Sequence, residues 1–307
     1  MKLGIIGLGK MGGNMVRRLR RADFEVVGYS PSEEERQVLV DEVGMVGAPN
    51  IGGLIKRLDS PCVVWVMVPS GDATEKTMKE LERRLSSGDI VIDGGNSSYK
   101  DTQRRGAMLA QSGIGLVDVG TSGGVWGLDN GYCLMAGGEK AHVKVIEPIL
   151  KALAPAPDRG WAHVGPRGAG HFTKMIHNGI EYGMMQAYAE GFALLRGKKE
   201  FSLDLAQISE LWRHSSVVRS WLLDLTADAL AGDQSFDKVA PVVADSGEGR
   251  WTVAEAISQG VPAPVISLAL HMRFASQHGG DYVNKMLAVM RNAFGGHAIT
   301  ARDKDGN

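Results

Sequence analysis

Hydrophobic positions in the first half of the chain fall into short, nearly unbroken runs. "KLGIIG" comes first, followed by "EVVGYS", "CVVWVMV", "DIVIDGG", "GLVDVG" and "YCLMAGG". Runs this short, without strict alternation, suit strands covered on both faces, as in a parallel sheet. Polar stretches of helical period separate them: "NMVRRLRRA", "DATEKTMKELERRL" and residues 99–111. In the second of these, Asp72 reads as an N-cap with Glu75 three residues on, the spacing of a capping box. Strands alternating with helices predict a parallel α/β sheet with helices on both faces.

The texture changes after the Pro-rich "LAPAPDRG" at 153–160, which reads as a hinge or boundary. Beyond "WAHVGP" the strand pattern ends. Helical patterns cover 168–197, about 204–214, 217–231, 251–259 and 264–294. The expected architecture is a doubly wound parallel sheet over residues 1–165, then an all-α helical domain over 166–307. The length of 307 residues agrees with two domains at a prior of ~150 residues each.

One loop gives the first domain a task. "GIIGLGKMGGNM" places Gly7-x-Gly9-x-x-Gly12 between the first strand and the first helix. Gly7 permits the tight turn, Gly9 lets a pyrophosphate approach the backbone, and Gly12 lets the helix pack closely. The helix N-terminus then holds the phosphate charge. This is a Rossmann-type nucleotide site. The second strand should end in the residue that reads the adenosine ribose, an acid for NAD or a nearby Arg for NADP. Ser30-Pro31-Ser32 stands there, without the acid or the adjacent Arg. Glu33, Glu34 and Glu35 follow at once and are poor neighbours for a 2′-phosphate, which favours NAD over NADP. The expected cofactor set is Gly7, Leu8, Gly9, Lys10, Met11, Gly12, Ser30, Val68, Pro69 and Asn96.

A second stretch carries reactive groups. In "HFTKMIHNGIEYG", at 171–183, Lys174, His177, Asn178, Glu181 and Tyr182 are spaced i, i+3, i+4, i+7 and i+8. They share one helical face, while Met175, Ile176, Ile180, Met184 and Met185 occupy the others. A solvated stripe is usually Lys, Glu, Gln and Ala; His, Asn and Tyr form helices less well and hydrogen-bond better.

Together with "GLGKMG", "DGGNS" (93–97), "TSGG" (121–124), "GRWT" (249–252), Arg273 and "RNAFGGH" (291–297), this stretch resembles 6-phosphogluconate dehydrogenase, within the β-hydroxyacid dehydrogenases. The resemblance covers nearly the whole chain and is to a short bacterial form. It implies Lys174 as general base and Glu181 as general acid. Asn96, Ser122, Gly123, Gly124, His177, Asn178 and Tyr182 would bind substrate, and Arg273 would take its phosphate. Arg291 and His297 would reach a neighbouring subunit's site in a homodimer or homotetramer. Two positions depart from the longer forms. Ser246 stands where they carry a phosphate-binding lysine, a charge that Arg250 or Arg291 would have to supply. Val125 and Trp126 stand where they carry acidic residues.

The implied reaction is oxidation of 6-phosphogluconate and loss of its carboxylate as CO2, giving ribulose 5-phosphate and reduced NAD(P). It asks for a Lys174 pKa below ~10.4 and a Glu181 pKa above ~4.3. The alternatives are a non-decarboxylating β-hydroxyacid dehydrogenase, of the 3-hydroxyisobutyrate or tartronate semialdehyde type, and a non-catalytic nucleotide-binding module. The first has no use for a phosphate clamp, and the intact Lys174 and Glu181 argue against the second. No HxH or HExxH pattern and no cysteine pair has ligand spacing, so no metal is expected.

Bulk properties narrow the setting. The net charge of −1 offers no field for nucleic acid or an anionic membrane. Two cysteines form no disulfide framework. The start of the chain is too glycine-rich for a signal peptide, and "CVVWVMVP" is far short of the ~20 residues that span a bilayer. A cytoplasmic location is expected.

Overall fold

The computed structural model describes residues 1–278 and 281–295. The chain divides into two compact units, Met1–His177 and Asn178–Asn307.

In the first unit the apolar runs become strands and the periodic stretches become helices. β1 (Lys2–Ile6), α1 (Lys10–Arg21), β2 (Glu25–Tyr29), α2 (Glu33–Val43) and β3 (Val46–Gly47) come first, followed by α3 (Ile51–Ile55), β4 (Val63–Val66), α4 (Asp72–Glu82), β5 (Ile90–Asp93) and α5 (Tyr99–Gln111). Then come β6 (Gly115–Ser122), α6 (Gly127–Asn130), β7 (Cys133–Gly137), α7 (Lys140–Leu153) and β8 (Trp161–Gly165). Among the described residues eight strands form one sheet in the order β3-β2-β1-β4-β5-β6-β7-β8. Every residue of β4 and β5 is buried, which accounts for their unbroken apolar text. Side chains alternate between faces. Val63 and Trp65 join one core with Leu3, Met15, Ile146 and Leu150, and Val64 and Val66 join another with Met78, Leu81 and Leu109.

Several expectations need correction. The sheet is mixed, because β7 runs antiparallel to β6. The Pro-rich 153–160 stretch is no hinge; it links α7 to β8 within one sheet. α7 did not emerge from the pattern, since Pro148 interrupts it, yet Val143, Ile146, Ile149, Leu150 and Leu153 form a regular buried stripe. The capping box at α4 is absent: Gly71, at φ 89°, is the N-cap, and Asp72 is already helical. Glu75 instead accepts from Arg104 at 2.6 Å and Arg105 at 3.1 Å.

α8 (Ala169–Gly197) crosses from the first unit into the second. The second unit continues with α9 (Leu205–Trp212), α10 (Trp221–Gly232), α11 (Glu248–Gln259), α12 (Pro264–His278) and α13 (Asp281–Gly295). Asp204 caps α9 and Ser220 caps α10, so α10 starts later than the pattern predicted. Two helices stand in place of the single one expected over 264–294. The sequence between them is Gly279-Gly280, outside the described residues, and glycine is a poor helix former. Phe192, Leu205, Leu223 and Leu230 form one core of this unit, and Tyr182, Ala269 and Leu270 another. Among the described residues no helix is long and apolar enough to cross a membrane.

Candidate functional site

The sheet sets out the nucleotide site. β1, β2, β4, β5 and β6 are parallel, so their carboxyl ends and the loops that follow lie along one edge. The strand order reverses beside β1, at the topological switch point where doubly wound sheets bind ligands. Gly7 sits at φ 96°, and a Cβ there would meet the Met67 carbonyl oxygen at 2.3 Å. A Cβ on Gly12 would fall 2.0 Å from the Gly7 oxygen, so helix and loop touch without side chains. Gly9 is different: a Cβ there meets nothing within 4 Å. Gly9 is also the N-cap of α1, with no side-chain cap and no acid in the first turn. The helix start is therefore uncapped by side chains and has open space at Gly9, as a pyrophosphate requires. The residues present fit a dinucleotide.

The other expected cofactor residues flank this loop. Gly7 N donates to Tyr29 O at 2.8 Å, which fixes the end of β2, and hence Ser30, beside the loop. Val68 and Pro69 follow β4, with Val68 against Gly7. A cavity of about 370 Å3 is lined by Leu8, Gly9, Lys10, Asn14, Glu34 and Glu35, among others. Ser30 is buried, and its hydroxyl donates to Glu35 while its carbonyl accepts from Arg36. The sequence reading left an acid and an arginine missing here; the structure supplies both from the first turn of α2.

Asn96 follows β5 and is exposed. Its loop is held by Asp93, which accepts from Gly95 N at 3.3 Å and from Ser97 Oγ at 3.1 Å. The fully enclosed Arg105 lies 3.8 Å from Asp93 and donates to Ser97 at 3.3 Å. Ser122 ends β6, and Gly123 and Gly124 follow at φ 127° and 51°, opening a 3-10 turn.

The five-residue stripe lies on α8. Its first turns are set against the sheet by backbone contact. Asp118 on β6, fully buried, accepts from Gly168 N at 2.7 Å and His171 N at 2.8 Å, occupying amides at the helix start. Burial pushes the Asp118 carboxyl above its ordinary pKa, against the pull of His171 and those two amides. A Cβ on Gly120 would lie 2.4 Å from the Lys174 Cβ, so only glycine lets the lysine stem pass. Within the first unit His177 connects two expected site residues: Ser122 Oγ lies 3.4 Å from its Nε2, and Lys174 Nζ lies 3.5 Å from its Nδ1. Lys174, His177 and Glu181 are half-buried, and Asn178 and Tyr182 are buried.

The second unit assembles its own cluster. Asn178 Nδ2 donates to the buried Glu248, whose carboxylate also accepts from Ser246 Oγ at 3.3 Å. Ser246 lies 3.3 Å from the Tyr182 hydroxyl. The Arg273 guanidinium stacks 3.6 Å from the centroid of the Tyr182 ring and donates to Ala244 O at 2.7 Å. Arg250 pairs with Asp245 and covers the Phe274 ring at 4.2 Å. Arg273, not Arg250, therefore shares the Tyr182–Ser246 cluster.

Residues 2–165 match the NAD-binding domain of 6-phosphogluconate dehydrogenase, and residues 170–297 match the C-terminal domain of that enzyme. The chain belongs to the 6-phosphogluconate dehydrogenase family. It is an NAD(P)-dependent oxidoreductase with a Rossmann fold, as that family's members are. The Bacillus subtilis protein YqeC is 41% identical over 301 residues, 97% of this chain and 99% of the relative. An NAD(+)-dependent, decarboxylating 6-phosphogluconate dehydrogenase of Haloferax volcanii is 38% identical over 304 residues, 99% of this chain and 100% of the relative. The Plasmodium falciparum 6-phosphogluconate dehydrogenase, solved in its apo form, with NADP+ and with 6-phosphogluconate, superposes with a TM-score of 0.83. It is 26% identical, and the match covers 100% of this chain and 67% of that one.

Two family positions stay outside this description. Arg291 belongs to α13, but its side chain, like the whole of His297, lies outside the described residues. Residues that pattern reading missed are Arg105, Asp118 and Glu248. Each acts through a tertiary contact that no spacing rule announces.

Proposed function

We propose that the protein oxidises 6-phosphogluconate and releases its carboxylate as CO2, forming ribulose 5-phosphate. The observation that carries this reading is the α8 stripe, in which one helix presents a base, an acid and three hydrogen-bonding groups within three turns. The N-terminal residues 1–165 bind NAD(P), and residues 166–307 bind substrate and form the dimer. Bound NAD(P) supplies the hydride acceptor. Lys174, uncharged, takes the proton of the C3 hydroxyl as that carbon is oxidised, and becomes an ammonium. The ammonium then donates to the new ketone, which accepts the electron pair released when CO2 departs. The lysine proton passes to the enolate oxygen, leaving an enediol. Glu181, two turns along and ~10 Å up the axis, protonates its carbon while the now neutral Lys174 takes back the hydroxyl proton, giving the ketone of ribulose 5-phosphate. His177 aligns Lys174 with Ser122. Ser122, Gly123, Gly124 and Asn96 hold the carboxylate end, Asn178 and Tyr182 the hydroxyls, and Arg273 the phosphate. Arg291 and His297 complete the neighbouring subunit's site.

The preferred cofactor is NAD, on the electrostatics of Glu33–Glu35. The test is absorbance of reduced cofactor with 6-phosphogluconate and with 3-hydroxyisobutyrate, together with a CO2 measurement. Turnover of the first with CO2 release is expected. Turnover of the second alone, or reduction without CO2, would replace this reading with a non-decarboxylating one.

A further inference from the structure

We infer that Glu35, not a residue at the end of β2, reads the adenosine ribose and sets the preference for NAD over NADP; this rests on the NAD(P)-binding reading given above. In doubly wound sheets the ribose lies at the carboxyl end of the second strand, where an acid bonds its 2′-hydroxyl. Ser30 occupies that place and is only 4% exposed. The end of β2 is fixed next to the phosphate loop by the Gly7-to-Tyr29 hydrogen bond of 2.8 Å. The Ser30 hydroxyl donates to the Glu35 carboxylate, which draws that carboxylate from the first turn of α2 to the strand end. Ser32 caps the same helix by accepting from Glu35 N at 3.2 Å, so the backbone of the reader is held as well.

The surrounding charges favour a diol over a phosphate. Leu8, Gly9, Lys10, Arg17, Glu34 and Glu35 line one cavity of about 370 Å3 that starts on the phosphate loop. Arg17 is held by Glu42 in a two-point pair, with Nη2–Oε2 at 2.6 Å. Arg36 donates to the Ser30 carbonyl. Arg17 is thus neutralised by its ion pair and Arg36 is engaged by a carbonyl, while Glu35, fixed at the strand end, and Glu34 line the cavity opposite the single lysine, Lys10, of the phosphate loop. A ribose 2′-hydroxyl would donate to Glu35, whereas a dianion would be repelled.

The test is fluorescence titration of the full chain with NADH and NADPH, which needs no substrate. The wild type is expected to bind NADH more tightly. Glu35→Gln should weaken NADH by about 10-fold or more and move the NADH/NADPH ratio by about 10- to 100-fold, the loss of one charge-assisted hydrogen bond and one repulsion. Glu35→Lys should favour NADPH, and Glu34→Gln should move the ratio by less than about 3-fold. Glu35 lies on a solvent-facing helix; should Glu35→Gln unfold, the Lys variant gives the same reading. An unchanged ratio in a folded variant, or a wild type that prefers NADPH, overturns the assignment. A Glu35-dependent preference for NADH without turnover of 6-phosphogluconate supports the assignment while sinking the proposed reaction.

Discussion

Lys174 shows how one side chain depends on its setting. Its stem passes over Gly120, and its amine lies 3.5 Å from His177, which in turn reaches Ser122. Lys174→Met keeps the stem and removes only the amine. Its kcat should fall at least ~10²-fold with an unaltered melting curve. Near-wild-type turnover would show that Lys174 is not the base. Glu181→Gln tests a later step. An amide cannot deliver a proton to carbon, so ketone formation should outpace final product. The alkaline limb of the kcat–pH profile, where a general acid loses its proton, should also flatten. A Gln variant with wild-type rate and profile would make Glu181 structural. At this scale the stripe was legible from sequence, since i, i+3, i+4, i+7 and i+8 spacing survives any tertiary context. The partners were not. Glu248, two residues beyond Ser246, carried no signal of its own in the sequence, yet it is 4% exposed and accepts from Asn178 and Ser246. Likewise Glu33, Glu34 and Glu35 were read together as poor neighbours for a 2′-phosphate, and only the Ser30 contact singles out Glu35.

At the scale of elements, the fold places α8 by its first turn. Gly120, Gly137 and Gly170 bring strand and helix backbones together: a Cβ on Gly170 would lie 2.4 Å from the Met135 oxygen. Asp118 then binds two of the helix's amides with its two carboxylate oxygens. Asp118→Asn can satisfy one amide and turns an NH2 towards the other. It should cost about 1–3 kcal/mol of stability. The pH dependence follows from burial. The folded pKa is raised, so between ~3.9 and that raised value the native state holds a proton the unfolded chain has lost. Asp118 therefore destabilises progressively as pH rises through that window. The stability gap between wild type and Asp118→Asn should narrow as pH rises from about 4 through the raised folded value, measured by denaturant melts. A constant gap would mean that Asp118 titrates alike in both states. Sequence reading found most of these elements because a parallel sheet buries its strands on both sides and writes them as apolar runs. It missed α7 where a proline broke the period, and it missed the reversal of β7, because strand text carries no direction.

At the scale of the whole molecule, the proposed dimer would use the end of the second unit. Every residue from Tyr282 to Met290 on α13 is exposed, including Val283, Leu287 and Val289 at 62%, 50% and 52%. Val265 and Leu268 on α12 are exposed as well, at 67% and 59%. Exposed apolar side chains grouped in this way suit the interface that the proposed dimer needs. A two-fold dimer would cover the same face on both chains and let each carboxyl-terminal segment serve the other. The expected species in light scattering is a dimer or a multiple of it. Complementation then tests whether sites are shared. Lys174→Met and Arg291→Ala chains, each inactive, are mixed under conditions that exchange subunits. If Arg291 acts on the neighbour, a mixed dimer has one site with both defects and one with neither. About half of the dimers should be mixed at equal ratio, each with one working site, so roughly a quarter of wild-type activity should return. No recovery despite demonstrated exchange would place Arg291 in its own chain's site and remove the reason for an obligate dimer, leaving α13 as an interface without a catalytic part.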